Sequence, residues 1–278
     1  MGASTVKIIG FCRFSFFGPS DTRLSYDDEQ EAYRQLYADR RMQSRFFLFE
    51  NLLLPSIACQ NDTDFKLTIL TSQIMPKRYR NRLSALCETV PQIDVHFAKD
   101  TNLKNVMKPM LQEASSDGAD ELVQFRIDDD DAVSCNYVER LRALAAQSPA
   151  QKIISMPTGL MVYQTPKRQG IGRIFRPFTG AGFAFHAQKG RHRQVFQFAH
   201  NQAKKFFRTV SDPTGCSHIQ SVHLSSDTGQ RQEKRVREYL SNAGKPKTPT
   251  EIEDILGSSF PFISYKQLDH VRQTMNGF

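Results

Sequence analysis

Four consecutive aspartates, Asp128 to Asp131, directly follow an apolar segment in the stretch QFRIDDDDAV. We call these four residues the acidic run. Adjacent carboxylates repel one another, so a folded chain must offset their charge or leave it in water. Carboxylate oxygens are also the ligands that hard cations such as Mg²⁺ and Mn²⁺ prefer. The run is therefore either a solvated acidic turn or a site for a divalent cation.

Two familiar carboxylate sites do not match the spacing of the acidic run. A calcium EF-hand loop that began at Asp128 would need glycine at its sixth position, where the chain has Val133. A two-metal nuclease or polymerase would need further carboxylates at other strand ends. The first two predicted strands end instead at Arg13 and at Thr71-Ser72. The spacing excludes the first class and argues against the second.

An Asp-x-Asp pair matches the run better. In such a site, a metal ion held by the two carboxylates binds a diphosphate and offsets the charge that develops on a nucleoside-diphosphate leaving group. The pattern therefore predicts Asp128, Asp130 and Asp131 as metal ligands. We also expect Asp128 and Asp129 to contact the donor.

Strands and helices alternate along the first half of the chain. Runs of β-branched and apolar residues predict strands over 6–12, 65–72, 92–98 and 121–127. Helices are predicted over 39–58, from Pro76 onward, over 103–116 and over 137–147. Pro55 disturbs the first helix, and Asn136 with Glu139 forms a capping box for the last. This order is typical of an α/β fold with a mostly parallel mixed sheet flanked by helices, in which ligands bind at the carboxyl ends of strands.

The second half of the chain is less regular. We predict two strands within 152–164, a glycine-interrupted strand over 178–187, a basic helix over 195–208 and a late strand over 218–224. The sequence contains no internal repeat and no low-complexity linker. We therefore expect a single domain over 1–278, with a nucleotide and metal half (1–150) and an acceptor half (151–278).

Positive charge is concentrated in the second half. The 278 residues carry a net charge of +8, and residues 160–248 alone hold 16 Lys and Arg against 4 Asp and Glu. This asymmetry favours an anionic partner, such as a nucleotide, a phospholipid surface or a nucleic acid. Nucleic acid is the weaker alternative, because the sequence lacks zinc-finger, RNP and helix-turn-helix signatures. A nucleotidyltransferase is a further alternative, although GFCRFSFFG is not the glycine-rich phosphate loop that such enzymes usually have after the first strand.

Five widely spaced cysteines form no C-x-x-C pair. We expect reduced thiols in a cytoplasmic protein, mostly buried as small apolar side chains. No apolar run approaches the ~20 residues that span a bilayer. These features predict a cytoplasmic protein without a transmembrane segment. Basic residues such as Arg191, Arg193 and Lys204 would allow peripheral contact with the inner face of the membrane.

Several segments together resemble the bacterial putative rhamnosyl transferase family, within the GT-A-type, family-2-like glycosyltransferases. The resemblance is carried by GFCRFS at 10–15, LYADRRMQSRFFLFENLLLPSIACQNDTDFKLTIL at 36–70, MPKRYRNRLSAL at 75–86 and QFRIDDDDAVSCNYVERL at 124–141. FTGAGFAFHA, FQFAH and SVHLSSDTG continue it. The chain departs from the broader family at Thr71, Ser72 and Gln73, where that family often carries an acidic pair after its second strand.

The resemblance implies a GT-A-like fold and a hexosyltransferase that moves rhamnose or a related sugar. The donor would be a dTDP-, UDP- or GDP-sugar, and the acceptor a glycan or a lipid-linked sugar in polysaccharide biosynthesis. Mn²⁺ or Mg²⁺ would be the cofactor. Such enzymes often complete the metal shell with a C-terminal histidine, for which His223 is the candidate. Asp227 would join that shell or close a loop over the donor.

Two further roles require residues outside the acidic run. Arg13, at the predicted end of the first strand, would bind the phosphate or the base of the donor. An inverting transfer also needs a base that accepts the proton of the acceptor hydroxyl. We expect His200 to be that base, with Asp212 and His186 as the next candidates.

Overall fold

Two β-sheets and the helices packed on them make up the fold. The computed structural model describes residues 6–19, 27–116, 121–147, 149–188, 193–197, 202–224, 232–241 and 248–278. The strands are β1 (Val6–Arg13), β2 (Lys66–Ser72), β3 (Ile93–Ala98), β4 (Glu121–Asp128), β5 (Ala132–Val133), β6 (Lys152–Ser155), β7 (Thr158–Gln164), β8 (Gln169–Phe175), β9 (Phe183–Gln188), β10 (Arg208–Ser211) and β11 (His218–Val222). The helices are α1 (Glu29–Leu36), α2 (Asp39–Leu48), α3 (Leu54–Ala58), α4 (Lys77–Cys87), α5 (Leu103–Ser116), α6 (Tyr137–Ala146), α7 (Gln232–Ser241), α8 (Pro249–Ser259) and α9 (Tyr265–Thr274). Over the described ranges, none of these helices combines the length and hydropathy that crossing a bilayer requires.

The larger sheet has seven strands in the order β10-β6-β9-β4-β1-β2-β3. Its paired strands run parallel, except that β9 is antiparallel to both β4 and β6. The predicted α/β fold with a mostly parallel mixed sheet flanked by helices is therefore confirmed. All four strands predicted in the first half are present. They form the part of this sheet that extends from its centre at β4 to the edge strand β3.

The central strands β1 and β4 pack apolar side chains on both faces, as expected for a parallel sheet covered on both sides. On one face, Ile8 and Phe125 join a core with α2, α4 and α6. On the other, Phe11 and Leu122 join a core with α5. Burial of each such side chain contributes about 1.5–3 kcal/mol. This double core fixes the place of the strand end from which the acidic run emerges.

The smaller sheet connects the acidic run to the late part of the chain. Its strand order is β5-β11-β7-β8. β5 begins directly after Asp131 and pairs antiparallel with the start of β11, with Ile219 opposite Ala132. Because the two strands are antiparallel, the residues that follow Ile219 lie beside the residues that precede Ala132, which are those of the acidic run. The predicted late strand is thus confirmed, and it lies beside the aspartates.

A π-helical turn, Phe49–Leu53, joins α2 to α3. Pro55 has no amide hydrogen for the carbonyl of Asn51, so the regular helical bond is lost there. The chain widens by one residue, and the Leu54 N–H donates to the Phe49 carbonyl. The predicted disturbance at Pro55 is therefore a widened turn, and the helix continues to Ala58.

The predicted capping box of α6 is wrong, although the helix itself begins after Asn136 as expected. The side chain of Asn136 makes no capping hydrogen bond. Its oxygen accepts instead from the Ser134 hydroxyl at 2.8 Å. Glu139 accepts a hydrogen bond from the side chain of Asn61 at 3.3 Å. A local hydroxyl binds Asn136 and a distant amide binds Glu139, so the two groups of the expected motif do not cap the helix.

The predicted helix over 195–208 is also wrong. Its described part contains a short 3₁₀ turn, Ala203–Lys205, followed by β10, which pairs with β6. Val195 is buried against the sheet face that α5 covers, and Phe207 packs its ring 4.9 Å from that of Phe185. Packing of separated apolar residues on a sheet has overridden the local helical pattern.

Cys59 and Cys135 form a disulfide, so the prediction of reduced thiols is wrong for this pair. The two segments also share hydrogen bonds: the Asn61 N–H donates to the Cys135 carbonyl at 2.8 Å. Their separation of 76 residues gave the sequence no local signal. The three remaining cysteines, Cys12, Cys87 and Cys216, are free and buried.

Gly10 in β1 offers a test of the central packing. A Cβ atom at this position would overlap the ring of Phe125 and approach Leu67 Cδ1 to 2.7 Å. We expect Gly10→Ala to destabilise the fold by about 1–3 kcal/mol, because overpacking forces neighbours from their preferred rotamers. Gly257 in α8 is the control, since a Cβ there would meet nothing within 4 Å. Gly257→Ala should be neutral or stabilise by up to about 1 kcal/mol. Urea denaturation measures both, and equal stabilities would contradict the packing described.

His218 on β11 is buried in its neutral form. Its Nδ1 lies 2.9 Å from the Ser217 hydroxyl. Its Nε2 has no hydrogen-bond partner among the described residues, and the imidazole fills the space that a side chain at position 159 would need. Burial and, to a smaller extent, the nearby charge of Arg176 together lower the pKa of His218 to about 3.

We therefore expect His218 to make the protein less stable in acid. In the unfolded chain a histidine has a pKa of about 6.5. Below that pH the unfolded state takes up a proton that the native state does not. The free energy of unfolding therefore falls by up to ~1.4 kcal/mol per pH unit as the pH falls towards 3. In His218→Gln, the free energy of unfolding between pH 6.5 and pH 4 should fall less steeply than in the wild type. Denaturant titrations across this range measure the slopes, and identical slopes would show that His218 is protonated in the native state.

Candidate active site

The acidic run begins at the carboxyl end of β4, where the four aspartates diverge. Asp128 is the last residue of β4 and lies in register with Arg13, the last residue of β1. A turn follows, in which the Asp131 N–H donates to the Asp128 carbonyl at 3.2 Å. The side chain of Asp128 is 34% exposed. The other three aspartates are buried.

Arg45 of α2 holds the middle of the acidic run. Its Nε donates to Asp129 Oδ2 at 3.0 Å, its second terminal nitrogen bonds Asp129 Oδ1, and its first donates to Asp130 Oδ2 at 2.8 Å. The guanidinium side chain is 5% exposed and Asp129 is fully buried. Asp129, which we expected at the donor, therefore anchors the run from inside the protein.

His223, directly after β11, reaches the acidic run from 93 residues away. Its Nε2 lies 3.0 Å from Asp130 Oδ2, and the imidazole is fully buried. Burial alone would raise the pKa of Asp130, but Arg45 and the hydrogen bond from His223 hold that pKa well below its usual range. His223, the candidate for completing the metal shell, thus lies against Asp130.

Asp131 faces β11 instead of the open end of the sheet. Its Oδ1 accepts the Ser221 N–H at 2.9 Å. Burial and the negative charges of Asp130 and Asp128 raise the pKa of this carboxyl well above its usual value. Asp131 therefore connects the acidic run to β11, and it is a weaker metal-ligand candidate than its neighbours.

Asp128 lies between two guanidinium groups. Its Oδ1 is 3.3 Å from a terminal nitrogen of Arg126 and 3.7 Å from one of Arg13. Burial would raise the pKa of Asp128, but these two arginines lower it. Gly180 lies on the other side, where a Cβ atom would be 3.4 Å from Asp128 Oδ2. Asp128, the least buried carboxylate of the run, is thus ionised and lies at the carboxyl end of β4.

The remaining catalytic candidates are His200, Asp227, Asp212 and His186. His200 and Asp227 lie outside the described residues. Asp212 accepts two bonds from Arg140, at 2.7 and 3.2 Å, which holds its carboxylate in an ion pair. His186 pairs with Glu121 at 3.0 Å and lies opposite Val123 in the sheet. Five residues of strand, about 16 Å, separate that level from Asp128, so His186 is not part of this site.

Sequence reasoning missed Arg45 and Arg126. Arg126 had a usable signal, because residues two apart on a strand point to the same face, as Asp128 does. Arg45 had none: it lies in a helical pattern between polar and apolar residues, 84 positions before Asp129. Only the packing of α2 against the end of β4 brings the two together.

The residues present match a divalent cation in their chemistry. Carboxylate oxygens of Asp128 and Asp130 and the imidazole nitrogen of His223 are donors that Mn²⁺ and Mg²⁺ sites use. In the described part of the chain, no group of three or more His, Cys, Asp or Glu side chains is already arranged around one ion position. Arg45 supplies the positive charge that Asp130 requires in this arrangement.

Replacement of Arg45 should be costly. Arg45→Gln would leave Asp129 and Asp130 buried without their cation, and loss of one partner of a buried ion pair costs about 3–5 kcal/mol. Arg82→Gln is the matched control, because Arg82 binds Glu50 with a side chain that is 46% exposed, and such pairs contribute about 0–1 kcal/mol. Urea denaturation at pH 7 measures both variants. A similar small cost for the two would contradict the anchoring role of Arg45.

Structural comparison gives solved structures of low similarity. The putative nucleotide-diphospho-sugar transferase of Desulfovibrio desulfuricans G20 is 13% identical, with a TM-score of 0.36 over 98% of this chain and 99% of the other. Residues 1–349 of S. aureus TarS, in complex with UDP-GlcNAc, are 9% identical, with a TM-score of 0.41 over 97% and 71% of the two chains. The putative glucose-1-phosphate thymidylyltransferase of Bacillus anthracis is 10% identical, with a TM-score of 0.39 over 87% and 98%.

Sequence comparison gives a family. No curated protein matches the chain. A family model described as "Putative rhamnosyl transferase" matches residues 7–235, a stretch that contains β1, the acidic run and His223. The resemblance seen in the sequence is thereby confirmed. Because this match covers most of the chain, the protein belongs to the putative rhamnosyl transferase family, a family of glycosyltransferases.

Proposed function

We propose that this protein transfers rhamnose or a related sugar from a nucleoside-diphosphate donor to a hydroxyl group of a glycan or lipid-linked acceptor, with the help of Mn²⁺ or Mg²⁺. One observation carries the proposal. The exposed Asp128, the Asp130–His223 pair and Arg13 converge at the carboxyl ends of β1 and β4. This is the edge of an α/β sheet at which ligands bind.

The residues at this edge have separate tasks in the proposed reaction. Asp128, Asp130 and His223 would hold the metal ion, which when bound offsets negative charge on the diphosphate leaving group. Arg45 keeps Asp130 ionised and in place. Asp131 supports the end of β11, from which His223 follows. Asp129, which is fully buried, binds Arg45 and helps to hold it in place.

The acceptor side rests on residues outside the described ranges. We propose that His200 accepts the proton of the attacking hydroxyl and that Asp227 acts at the donor, as a metal ligand or on a closing loop. An inverting transfer requires such a base within hydrogen-bond reach of the hydroxyl. Asp212 is a poorer base, because its hydrogen bonds from Thr214 and Arg140 lower its pKa against the effect of burial. The cytoplasmic location and the peripheral contact with the inner membrane face stay predictions.

The test combines binding with turnover. Thermal unfolding would be followed with UDP-, GDP- and dTDP-sugars, each with and without Mn²⁺ or Mg²⁺. A ligand present at one hundred times its Kd stabilises the native state by about 2.7 kcal/mol. We expect a metal-dependent increase in stability for one nucleotide, together with release of the matching nucleoside diphosphate when an acceptor is added.

The variant Asp128→Asn tests whether metal-dependent stabilisation and activity arise at the proposed site. This variant should lose the metal-dependent stabilisation and reduce kcat/KM by about 100-fold or more, equivalent to roughly 2.7 kcal/mol of barrier. Asp94→Asn is the control, because Asp94 on β3 is 62% exposed and pairs only loosely, at 3.5 Å, with Lys66. Full activity of Asp128→Asn, or the absence of any response to nucleotide sugars in the wild type, would refute the proposed function.

A further inference from the structure

Two arginines lie on one face of the central strands, beside the exposed aspartate. Arg126 precedes Asp128 by two residues on β4, and alternation along a strand places both on the same face. Arg13 ends β1 in register with Asp128. We call Arg13 and Arg126 the arginine pair. Both approach the same carboxylate oxygen, at 3.7 and 3.3 Å.

The ring of Phe196 covers the arginine pair. The guanidinium carbons of Arg13 and Arg126 lie 5.1 and 4.6 Å from the centroid of this ring. Stacking on an aromatic face holds a guanidinium in a fixed plane while its nitrogen atoms stay available to other partners. The two cations are therefore oriented by an apolar surface and not only by Asp128.

Hydrogen bonds of Gln124 hold the segment that carries the Phe196 ring in place. Gln124 lies two residues before Arg126 on the same face of β4 and binds the backbone of the segment that carries Phe196. Its Nε2 donates to the Arg193 carbonyl at 2.9 Å, and its Oε1 accepts the Val195 N–H at 3.2 Å. Val195 is itself fully buried against this face. The aromatic cover is thus part of the sheet packing.

Asp128 contacts both guanidinium groups, and both separations are long for a good hydrogen bond. Arg126 is 9% exposed, and its buried Nε has no hydrogen-bond partner among the described residues. A buried polar group without a partner costs free energy that a suitable ligand would offset. Burial lowers the pKa of Arg126, Asp128 raises it and Arg13 lowers it again.

A glycine lies beside the cluster, where any other residue would place a side chain. This residue is Gly180, and a Cβ there would be 3.4 Å from Asp128 Oδ2 and 3.8 Å from Arg126. A larger side chain at position 180 would cover the guanidinium nitrogens. Glycine at this position therefore keeps a side chain away from the guanidinium nitrogens.

We infer that the arginine pair, under Phe196, is a binding site for a phosphate or diphosphate group. Guanidinium groups match phosphate oxygens with paired, charge-assisted hydrogen bonds. Two sources share this chemistry: the diphosphate of the nucleotide donor and the phosphate that links a sugar to a lipid. The assignment to either source rests on the proposed function, whereas the anion site itself does not.

Calorimetric titration of the full chain with pyrophosphate, in EDTA and without metal, tests the site. The wild type should bind pyrophosphate, and more weakly as the salt concentration rises. Arg126→Gln should weaken binding at least tenfold. Arg126→Lys keeps the positive charge but loses the paired donors of the guanidinium group. Its affinity for pyrophosphate should lie between those of the wild type and Arg126→Gln. Arg13→Gln is a second variant in case Arg126→Gln does not fold, and it should also weaken binding severalfold.

Arg82→Gln is the matched control. Arg82 also stacks on a phenylalanine, with its guanidinium carbon 4.4 Å from the Phe46 centroid, and it also binds one carboxylate. Arg82 is on α4. This variant should bind pyrophosphate as the wild type does. Absence of binding to the wild type, or equal binding to Arg126→Gln and the wild type, would overturn the inference.

Competition identifies the source of the phosphate. Displacement of pyrophosphate by UDP, GDP or dTDP assigns the site to the donor, and displacement by farnesyl phosphate alone assigns it to a lipid-linked acceptor. The two proposals fail separately. If Arg126→Gln abolishes pyrophosphate binding but no nucleotide sugar is consumed, the anion site stands and the transferase proposal falls. If sugar is transferred but pyrophosphate does not bind, the reverse holds.

Discussion

The contact of Arg45 with Asp129 and Asp130 is the interaction on which the candidate site depends. Three of four adjacent aspartates are buried, and burial of an unpaired carboxylate is prohibitively costly. Arg45 makes three hydrogen bonds to two of these carboxylates, and all three side chains are buried. Its charge and geometry allow the run to enter the protein. The exposed Asp128 is therefore held at the edge of a rigid turn.

The surroundings of Arg45 keep that contact in place. α2 continues through the π-helical turn into α3, and the end of α3 is joined to the segment after the acidic run. Gln60 donates to the Ser134 carbonyl at 2.8 Å and accepts the Val138 N–H at 3.0 Å. The Cys59–Cys135 disulfide joins the same two segments. The helix that carries the cation and the loop that carries the anions consequently form one unit.

The four aspartates illustrate how one sequence motif divides into different physical roles. Asp131 braces β11, Asp129 and Asp130 bind Arg45, and Asp128 meets the arginine pair at the surface. Their pKa values diverge for the same reason. Neighbouring cations lower the pKa of Asp128 and Asp130, while burial beside like charges raises that of Asp131. A site that looks strongly acidic in sequence is nearly balanced in charge in the folded protein.

The sequence by itself determined the elements and the place of the site. Apolar runs and turn residues located β1, β2, β3, β4 and β11, and the order of strands and helices gave the α/β fold. The acidic run was identifiable as a strand-end site, and the likeness of several segments to a family indicated sugar transfer. These signals are local, because hydrophobic periodicity and runs of charge are written in consecutive residues.

Only the tertiary structure decided how the aspartates are used. Arg45 and His223 reach them from 84 and 93 residues away, and Cys59 joins Cys135 over 76. Glu139 of the expected capping box binds the distant Asn61, and the described apolar residues of the segment predicted as a helix over 195–208 pack on the sheet. Ion pairs, disulfides and competing hydrogen bonds depend on which surfaces meet when the sheet and its helices pack. No pattern of neighbouring residues records that choice, so the sequence located the carboxylates, and packing selected which one faces a ligand.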